Sequence, residues 1–208
     1  MVTRVMHSPS EAHLASLLHF CKYIRKTISW NLCYHRVPTL ISAPFRTIDF
    51  VFKCYCDSSH ADDPDTSCST SGYFIFLQDG QGAIQGKTFS AKSPQLSSTE
   101  AEYIAAAEGA RSSIWVKQLL DELQIFRSVK FEIMEDSRPC INALRKNMAD
   151  SRFRHVRIYY HFLRDLIESL WCAVVEIDTG DQIADLCTKI LPIQTTRKHS
   201  LSALGIRE

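Results

Sequence analysis

No run of the 208-residue chain approaches the ~18 consecutive apolar residues of a membrane span. The opening Met1-Val2-Thr3-Arg4 also lacks the ~7–15-residue apolar stretch that a signal peptide needs. A soluble, intracellular protein with no membrane partner is expected. Charge of one sign is missing as well. With 24 Lys and Arg against 23 Asp and Glu, no broad positive field can hold a polyanion, so nucleic acid must be gripped locally. The eight cysteines include no C-x-x-C pair, which disfavours a zinc module, and without a signal peptide their even number does not argue for disulfides. Most lie in apolar segments such as Val51-Phe52-Lys53-Cys54-Tyr55-Cys56, where a free thiol acts as a small hydrophobe. Internal repeats and low-complexity tracts are absent. What is present, 45% hydrophobic residues in balanced charge, suits one globular domain with appendages.

The chain opens on a helix signal. Ser8-Pro9-Ser10-Glu11 has the capping-box pattern with proline at the first helical position, followed by Leu14, Leu17, Leu18, Cys21 and Ile24 at helical spacing. Residues 1–46 carry six basic side chains and one acid, and include a short strand around Leu32-Cys33-Tyr34 before a proline-marked loop, so a boundary is placed near Phe45. From Phe50 to Cys56 nearly every residue is apolar, which predicts a strand covered on both faces. Gly72–Leu77 predicts a second strand, and Asp79-Gly80 a hairpin turn returning through Ala83-Ile84 to about Phe89. Ser97-Ser98-Thr99-Glu100 caps a long helix, and Val129–Met134 alternates as a fourth strand. Helices near 139–146 and 157–169, a fifth strand from Cys172, and a helix capped by Thr179-Gly180-Asp181-Gln182 complete the order βββαβααβα. A three-strand meander followed by strands alternating with helices implies a mixed sheet with helical cover.

Among many acidic residues, context selects a few. Asp57 and Asp136 each close an apolar strand on its more polar parity, Val51-Lys53-Tyr55-Asp57 and Lys130-Glu132-Met134-Asp136. In parallel neighbouring strands they would stand side by side at the carboxyl edge, repelling each other unless a cation lies between them. Each alone is more simply a turn residue; as a pair, the two readings draw level. Glu102 flanks the small stripe Ala105, Ala106, Gly109, which permits close approach to a sheet, but it also fits an ordinary first-turn glutamate favoured by the helix dipole. Asp185 follows Asp181 by one turn, a like-charge pair that hints at a cation and no more.

Taken together, Asp57, then Thr70-Ser71-Gly72-Tyr73, Leu96–Ala105, Asp136-Ser137, Arg154-His155-Val156 with Tyr160–Arg164, and Asp181–Lys189 resemble the ribonuclease H domain of copia-type retrotransposon Pol polyproteins, in the same motif order over about 150 residues. Upstream, Ser8–His13 and the following helix resemble the end of that family's reverse transcriptase. The resemblance implies a reverse transcriptase tail at 1–46, an RNase H-like domain at 47–192, and a C-terminal tail at 193–208 forming a short helix. The implied fold is α/β, a five-stranded mixed sheet with three antiparallel strands and then two parallel ones, flanked by helices. The implied activity is that of an endonuclease hydrolysing the RNA strand of RNA-DNA hybrids. By motif match its catalytic and metal-holding residues are Asp57, Glu102, Asp136 and Asp185, around two Mg²⁺ ions that Mn²⁺ can replace. Asp57 would bridge both ions, Glu102 and Asp136 help hold one, and Asp185 help hold the other. The implied partners are the hybrid and a reverse transcriptase domain.

The chain departs from the family pattern at Ser59, where a second aspartate is usual, at Gln85-Gly86, where an aromatic is lost, and at Arg157. It contains none of the reverse transcriptase catalytic segment with its paired aspartates. The competing reading is therefore a catalytically inactive retroelement remnant that at most binds nucleic acid or a reverse transcriptase partner. Residues 145–164 hold six basic side chains and one acid among aromatics. Within the helix from Arg157 the aromatics read as core and the arginines as solvated face, so Arg152, Arg154 and His155 ahead of it are better candidates for phosphate contact. His155 and His161 would either assist proton transfer or product release, or serve as packed histidines. If the four carboxylates converge, each close pair repels by on the order of 1–3 kcal/mol before screening. Asp57→Asn is therefore expected to leave the metal-free fold as stable or more so.

Overall fold

The computed structural model describes residues 8–37, 44, 46–63, 65–145 and 157–207. The chain forms two compact units, residues 1–32 and 33–208. The first carries α1 (Glu11–Thr27), whose cap is Ser10 rather than Ser8. The Ser10 hydroxyl accepts from the His13 N–H, and the Ser10 N–H donates to His13 Nδ1, so the imidazole fills the acceptor role a glutamate takes in such a box. Within this unit Leu14, Leu17, Leu18 and Ile24 are exposed.

The second unit contains β1 (Asp49–Ser59), β2 (Thr70–Phe76), β3 (Gln85–Ser90), α2 (Ser98–Glu122), β4 (Ser128–Glu135), α3 (Arg138–Arg145), α4 (Arg157–Glu168), β5 (Cys172–Glu176), a 3₁₀ turn (Thr179–Asp181), α5 (Asp185–Thr188) and α6 (Ile193–Leu204). The five strands form one sheet in the order β3-β2-β1-β4-β5. β1, β2 and β3 pair antiparallel, while β4 and β5 run parallel to β1. This is the expected five-stranded mixed sheet with helical cover. Among the described residues no helix is long and apolar enough to cross a membrane.

β1 is central, and its alternation decides what covers it. Phe50, Phe52, Cys54 and Cys56 are buried, while Val51 is exposed and Lys53 and Tyr55 are half-buried. The expectation of a strand covered on both faces therefore holds for one face only. Its apolar odd positions misled because Tyr55 packs edge-on against Phe76 and Lys53 pairs with Asp79, covering a face that stays partly wet. On the covered face α2 lies very close. A Cβ at Gly109 would come within 2.6 Å of Cys56 Sγ and 2.8 Å of Cys54 Sγ. Ala105, Ala106 and Ala110 continue that small stripe, all buried. Phe52 and Phe131 stack at 5.6 Å beneath it, joining β1 to β4. Four of the eight free cysteines, Cys54, Cys56, Cys140 and Cys172, are buried here as small hydrophobes.

Three local expectations shift. The β2–β3 connection turns at Asp79-Gly80 as expected, with Gln81 N–H donating to Gln78 O at 3.3 Å and Gly80 at φ 70°, but it is longer than a tight hairpin: β2 ends at Phe76 and β3 begins at Gln85, and the Asp79 carboxylate pairs with Lys53. The stretch 32–34 is not assigned as a strand. Cys33 instead bridges two backbones, its N–H donating to Leu204 O (2.7 Å) and its carbonyl accepting from Gly82 N (2.9 Å). The helix expected after Thr179 is broken into the 3₁₀ turn and α5, because the Gln182 side chain turns inward instead of capping.

α5 reaches the sheet where β2 has no side chain. Gly72 pairs with Asp57 across β1 and β2, and a Cβ at Gly72 would fall 2.2 Å from Cys187 Cβ. Gly72→Ala is thus expected to destabilise the fold by about 1–3 kcal/mol, as overpacking does. Because the collision is Cβ on Cβ, Cys187→Ala should give no rescue while Cys187→Gly should give partial rescue. Urea unfolding of the single and double variants checks this, and rescue by Cys187→Ala would disprove the contact.

Candidate active site

β1 and β4 pair in parallel register, ending with Tyr55 opposite Met134. Two residues further along each chain stand Asp57, on β1, and Asp136, just past the end of β4, so the register leads both toward the carboxyl edge. Asp57 is fully buried. Asp185, the first residue of α5, is buried over the same edge.

An ammonium holds Asp57 and Asp185 together. Lys189 Nζ donates to Asp57 Oδ1 at 2.9 Å and to Asp185 Oδ1 at 2.6 Å. The Thr188 hydroxyl donates to the other Asp57 oxygen, Oδ2. Lys189 follows Asp185 by four residues, so one helical turn brings both to the same side. Burial works to lower the Lys189 pKa, but the hydrogen bond to Asp185 and the charge of Asp57 outweigh it and hold the amine above its ordinary range. The expected uncompensated repulsion at Asp57 is therefore not what the fold contains. Asp57→Asn would loosen an ion pair as well as relieve a charge, so the expectation of a neutral or stabilising change falls.

Gln182 fixes the edge from beneath. Its buried amide donates to Cys56 O (2.9 Å), at the end of β1, and to Met134 O (3.4 Å), at the end of β4. The same nitrogen lies 3.5 Å from Asp136 Oδ1, and its carbonyl accepts from Ala184 N at 3.3 Å. One side chain thus ties both strand ends to the turn that delivers Asp185.

Two further carboxylates lie behind this edge. Glu102 projects from the first turns of α2, whose cap is Ser97: the Ser97 hydroxyl accepts from Glu100 N while the Glu100 carboxylate accepts from Leu96 N. Glu102 is buried and its Oε2 has no hydrogen-bond partner. Burial, followed by the charges of Glu135 and Asp57, pushes its pKa up to about 10. Glu135 is fully buried, accepts from Ser137 N at 3.1 Å through Oε1, and leaves Oε2 unpartnered. Burial raises its pKa to about 8, assisted by Asp136 and Asp57. Burial also raises the Asp185 pKa, against the hydrogen bond from Lys189. Among the described residues no three Asp, Glu, His or Cys side chains already converge as a metal-ion cluster.

Lys189 joins Asp57 to Asp185, Gln182 reaches toward Asp136, and Glu102 feels the charges of Glu135 and Asp57. Glu135, Gln182, Thr188 and Lys189 were not selected from sequence. Glu135 had a legible signal: it shares the buried parity of Val129, Phe131 and Ile133, where a carboxylate is out of place. Arg152, Arg154 and His155 lie outside the described residues. His161 is exposed on α4 with its ring edge-on to Tyr160 at 5.7 Å. Tyr160 in turn stacks on Tyr103 at 6.0 Å, so the described neighbourhood of His161 is the aromatic layer between α2 and α4.

No family model matches the chain. It is 31% identical over 192 residues to the retrovirus-related Pol polyprotein from transposon TNT 1-94 of Nicotiana tabacum, covering 92% of this chain and 13% of the polyprotein. It is 30% identical over 205 residues to that from transposon RE1 of Arabidopsis thaliana, covering 99% of this chain and again 13% of the relative. The chain therefore spans about an eighth of these relatives' length. Among solved structures, the N-terminal RNase H domain of a Mycobacterium tuberculosis protein superposes with a TM-score of 0.50 at 10% identity, over 74% of this chain and 99% of that one. LC11-RNase H1, solved in complex with an RNA/DNA hybrid, superposes with a TM-score of 0.50 at 11% identity, over 66% and 93%. The fold is that of ribonuclease H.

The raised carboxyls carry a pH dependence. Glu102 and Glu135 have ordinary values of 4.5, against about 10 and about 8 in the fold. Between these limits the unfolded chain has lost protons that the folded chain keeps, so stability falls as pH rises. In chelator the melting temperature should decline from pH 5 to pH 8. Glu135→Gln should flatten that slope and raise stability at pH 8 by on the order of 1–3 kcal/mol. Melting curves across this range test the assignment, and a variant that melts lower at pH 8 would show that Glu135 is ionised in the fold.

Proposed function

The chain is a homologue of one segment of the retrovirus-related Pol polyproteins of transposons, and on that premise we propose that it is a ribonuclease acting on the RNA strand of RNA-DNA hybrids. One observation supports the reading: in a ribonuclease H fold, Asp57 at the carboxyl end of β1 and Asp185 at the start of α5 share the Lys189 ammonium, and the register of β1 with β4 leads on to Asp136. The hybrid is the partner named for LC11-RNase H1, and it suits a chain of balanced charge that grips a backbone locally. The basic piece 1–46 is the segment proposed to meet a reverse transcriptase domain.

The donor set fits divalent magnesium, with manganese as a substitute. All four residues offer hard oxygens, and Glu102 Oε2 is a buried acceptor with no hydrogen-bond partner. When bound, such ions supply an activated water and neutralise charge on the attacked phosphate. The chain's own groups prepare the place. Thr188 sets the orientation of the Asp57 carboxylate, and Gln182 fixes the strand ends under Asp136. Burial and the charges of Glu135 and Asp57 raise the Glu102 pKa to about 10, so holding a metal ion there would release a proton. Arg152, Arg154 and His155 are proposed to contact substrate phosphates, and His161 to assist at the edge of the substrate.

Purified chain should cleave labelled RNA in a hybrid when Mg²⁺ or Mn²⁺ is added, leaving 5′-phosphate ends, and should leave duplex DNA intact. Asp136 is the carboxylate to change, because it is only half-buried and lies outside the Lys189 ion pairs. Asp136→Asn should keep the fold, by circular dichroism, and lose activity by on the order of 10²-fold or more. Equal cleavage by the folded variant would refute the mechanism.

A further inference from the structure

Lys189 has no part in the hydrolysis proposed above, yet it occupies the centre of the cluster. Its ammonium touches Asp57 Oδ1 at 2.9 Å and Asp185 Oδ1 at 2.6 Å, each an oxygen assigned to holding a metal ion. A cation shared by those two oxygens needs the volume that the ammonium fills, and two cations in that volume repel strongly in a buried setting. The side chain is well placed to leave. It is 36% exposed, whereas the Asp57 side chain is 0% exposed. Its backbone, by contrast, is anchored: α5 is wedged onto Gly72 through Cys187, and Gln182 locks the preceding turn to β1 and β4. An anchored backbone and a long stem would let the ammonium leave without moving the carboxylates.

We propose that Lys189 is the chain's own counter-cation, bridging Asp57 and Asp185 until a divalent ion displaces it, so that metal loading and release of the Lys189 ammonium are one exchange. This rests on the reading of Asp57 and Asp185 as metal holders. The lysine neutralises the buried edge when no metal is bound, and the same contact weakens metal binding, since the two cations compete for the same oxygens. A neutral residue at 189 should therefore have opposite effects on the metal-free fold and on metal affinity.

The test uses the full chain, Mn²⁺ as probe, and Lys189→Met and Lys189→Arg as variants. In chelator, Lys189→Met should melt several degrees lower than wild type. In calorimetric titration it should bind Mn²⁺ ~10-fold tighter or more, and show the larger metal-induced rise in melting temperature. Lys189→Arg, which keeps a cation, should bind no tighter than wild type. In wild-type protein, saturating Mn²⁺ should speed acylation of Lys189 by an amine-reactive ester, read by peptide mass spectrometry, while the exposed Lys22 and Lys92 stay constant. That last measurement decides the matter even if Lys189→Met does not fold. If wild type binds Mn²⁺ but Lys189→Met binds no tighter, or Lys189 acylation does not respond, the exchange is wrong and the metal reading survives. If Mn²⁺ neither binds nor shifts the melting of any folded variant, the metal reading falls and the exchange with it.

Discussion

Everything at the carboxyl edge depends on how buried negative charge is compensated. A carboxylate as enclosed as Asp57 is tolerated only if it is paired and hydrogen-bonded. The fold meets that demand with two consecutive residues at the end of α5, the Thr188 hydroxyl on one oxygen and the Lys189 ammonium just past the helix on the other. Glu102 and Glu135 each leave one oxygen without a hydrogen-bond partner, and burial raises their pKa values to about 10 and about 8. Ion pairing thus serves Asp57 and Asp185, while burial favours the protonated form of Glu102 and Glu135.

That arrangement requires close approach of three layers, and small residues permit it. Gly109 and the alanines of α2 let the helix settle on the thiols of Cys54 and Cys56, which brings Glu102 down to the strand ends. Gly72 lets α5 rest on the other side of the sheet opposite Asp57. Gln182 then joins the two strands to the turn between these layers. Packing and electrostatics are one problem here: any residue that lifts α5 also removes the cation from Asp57.

The partly wet face of β1 has a related logic. Lys53, Tyr55 and Asp57 share it, running from a half-buried ion pair through an aromatic to a fully buried carboxylate. Burial deepens along the strand toward the candidate site, as α5 and its flanking turn close over the sheet. An exposed Val51 at the far end marks where that cover stops.

By itself the sequence determined the order of elements, the parity of Asp57 and Asp136, and the small stripe that seats α2, because these follow from periods of two and 3.6 along the chain. It also carried the ordered motifs by which the family is legible. Local signals were less reliable where a side chain had a distant partner to choose. Gln182 reads as a cap but spans 126 positions to Cys56. Only the tertiary structure decided that Lys189 meets Asp57, 132 positions away. The physical reason is that charge compensation and desolvation depend on through-space distance, and only the folded chain brings those distances within a few ångströms.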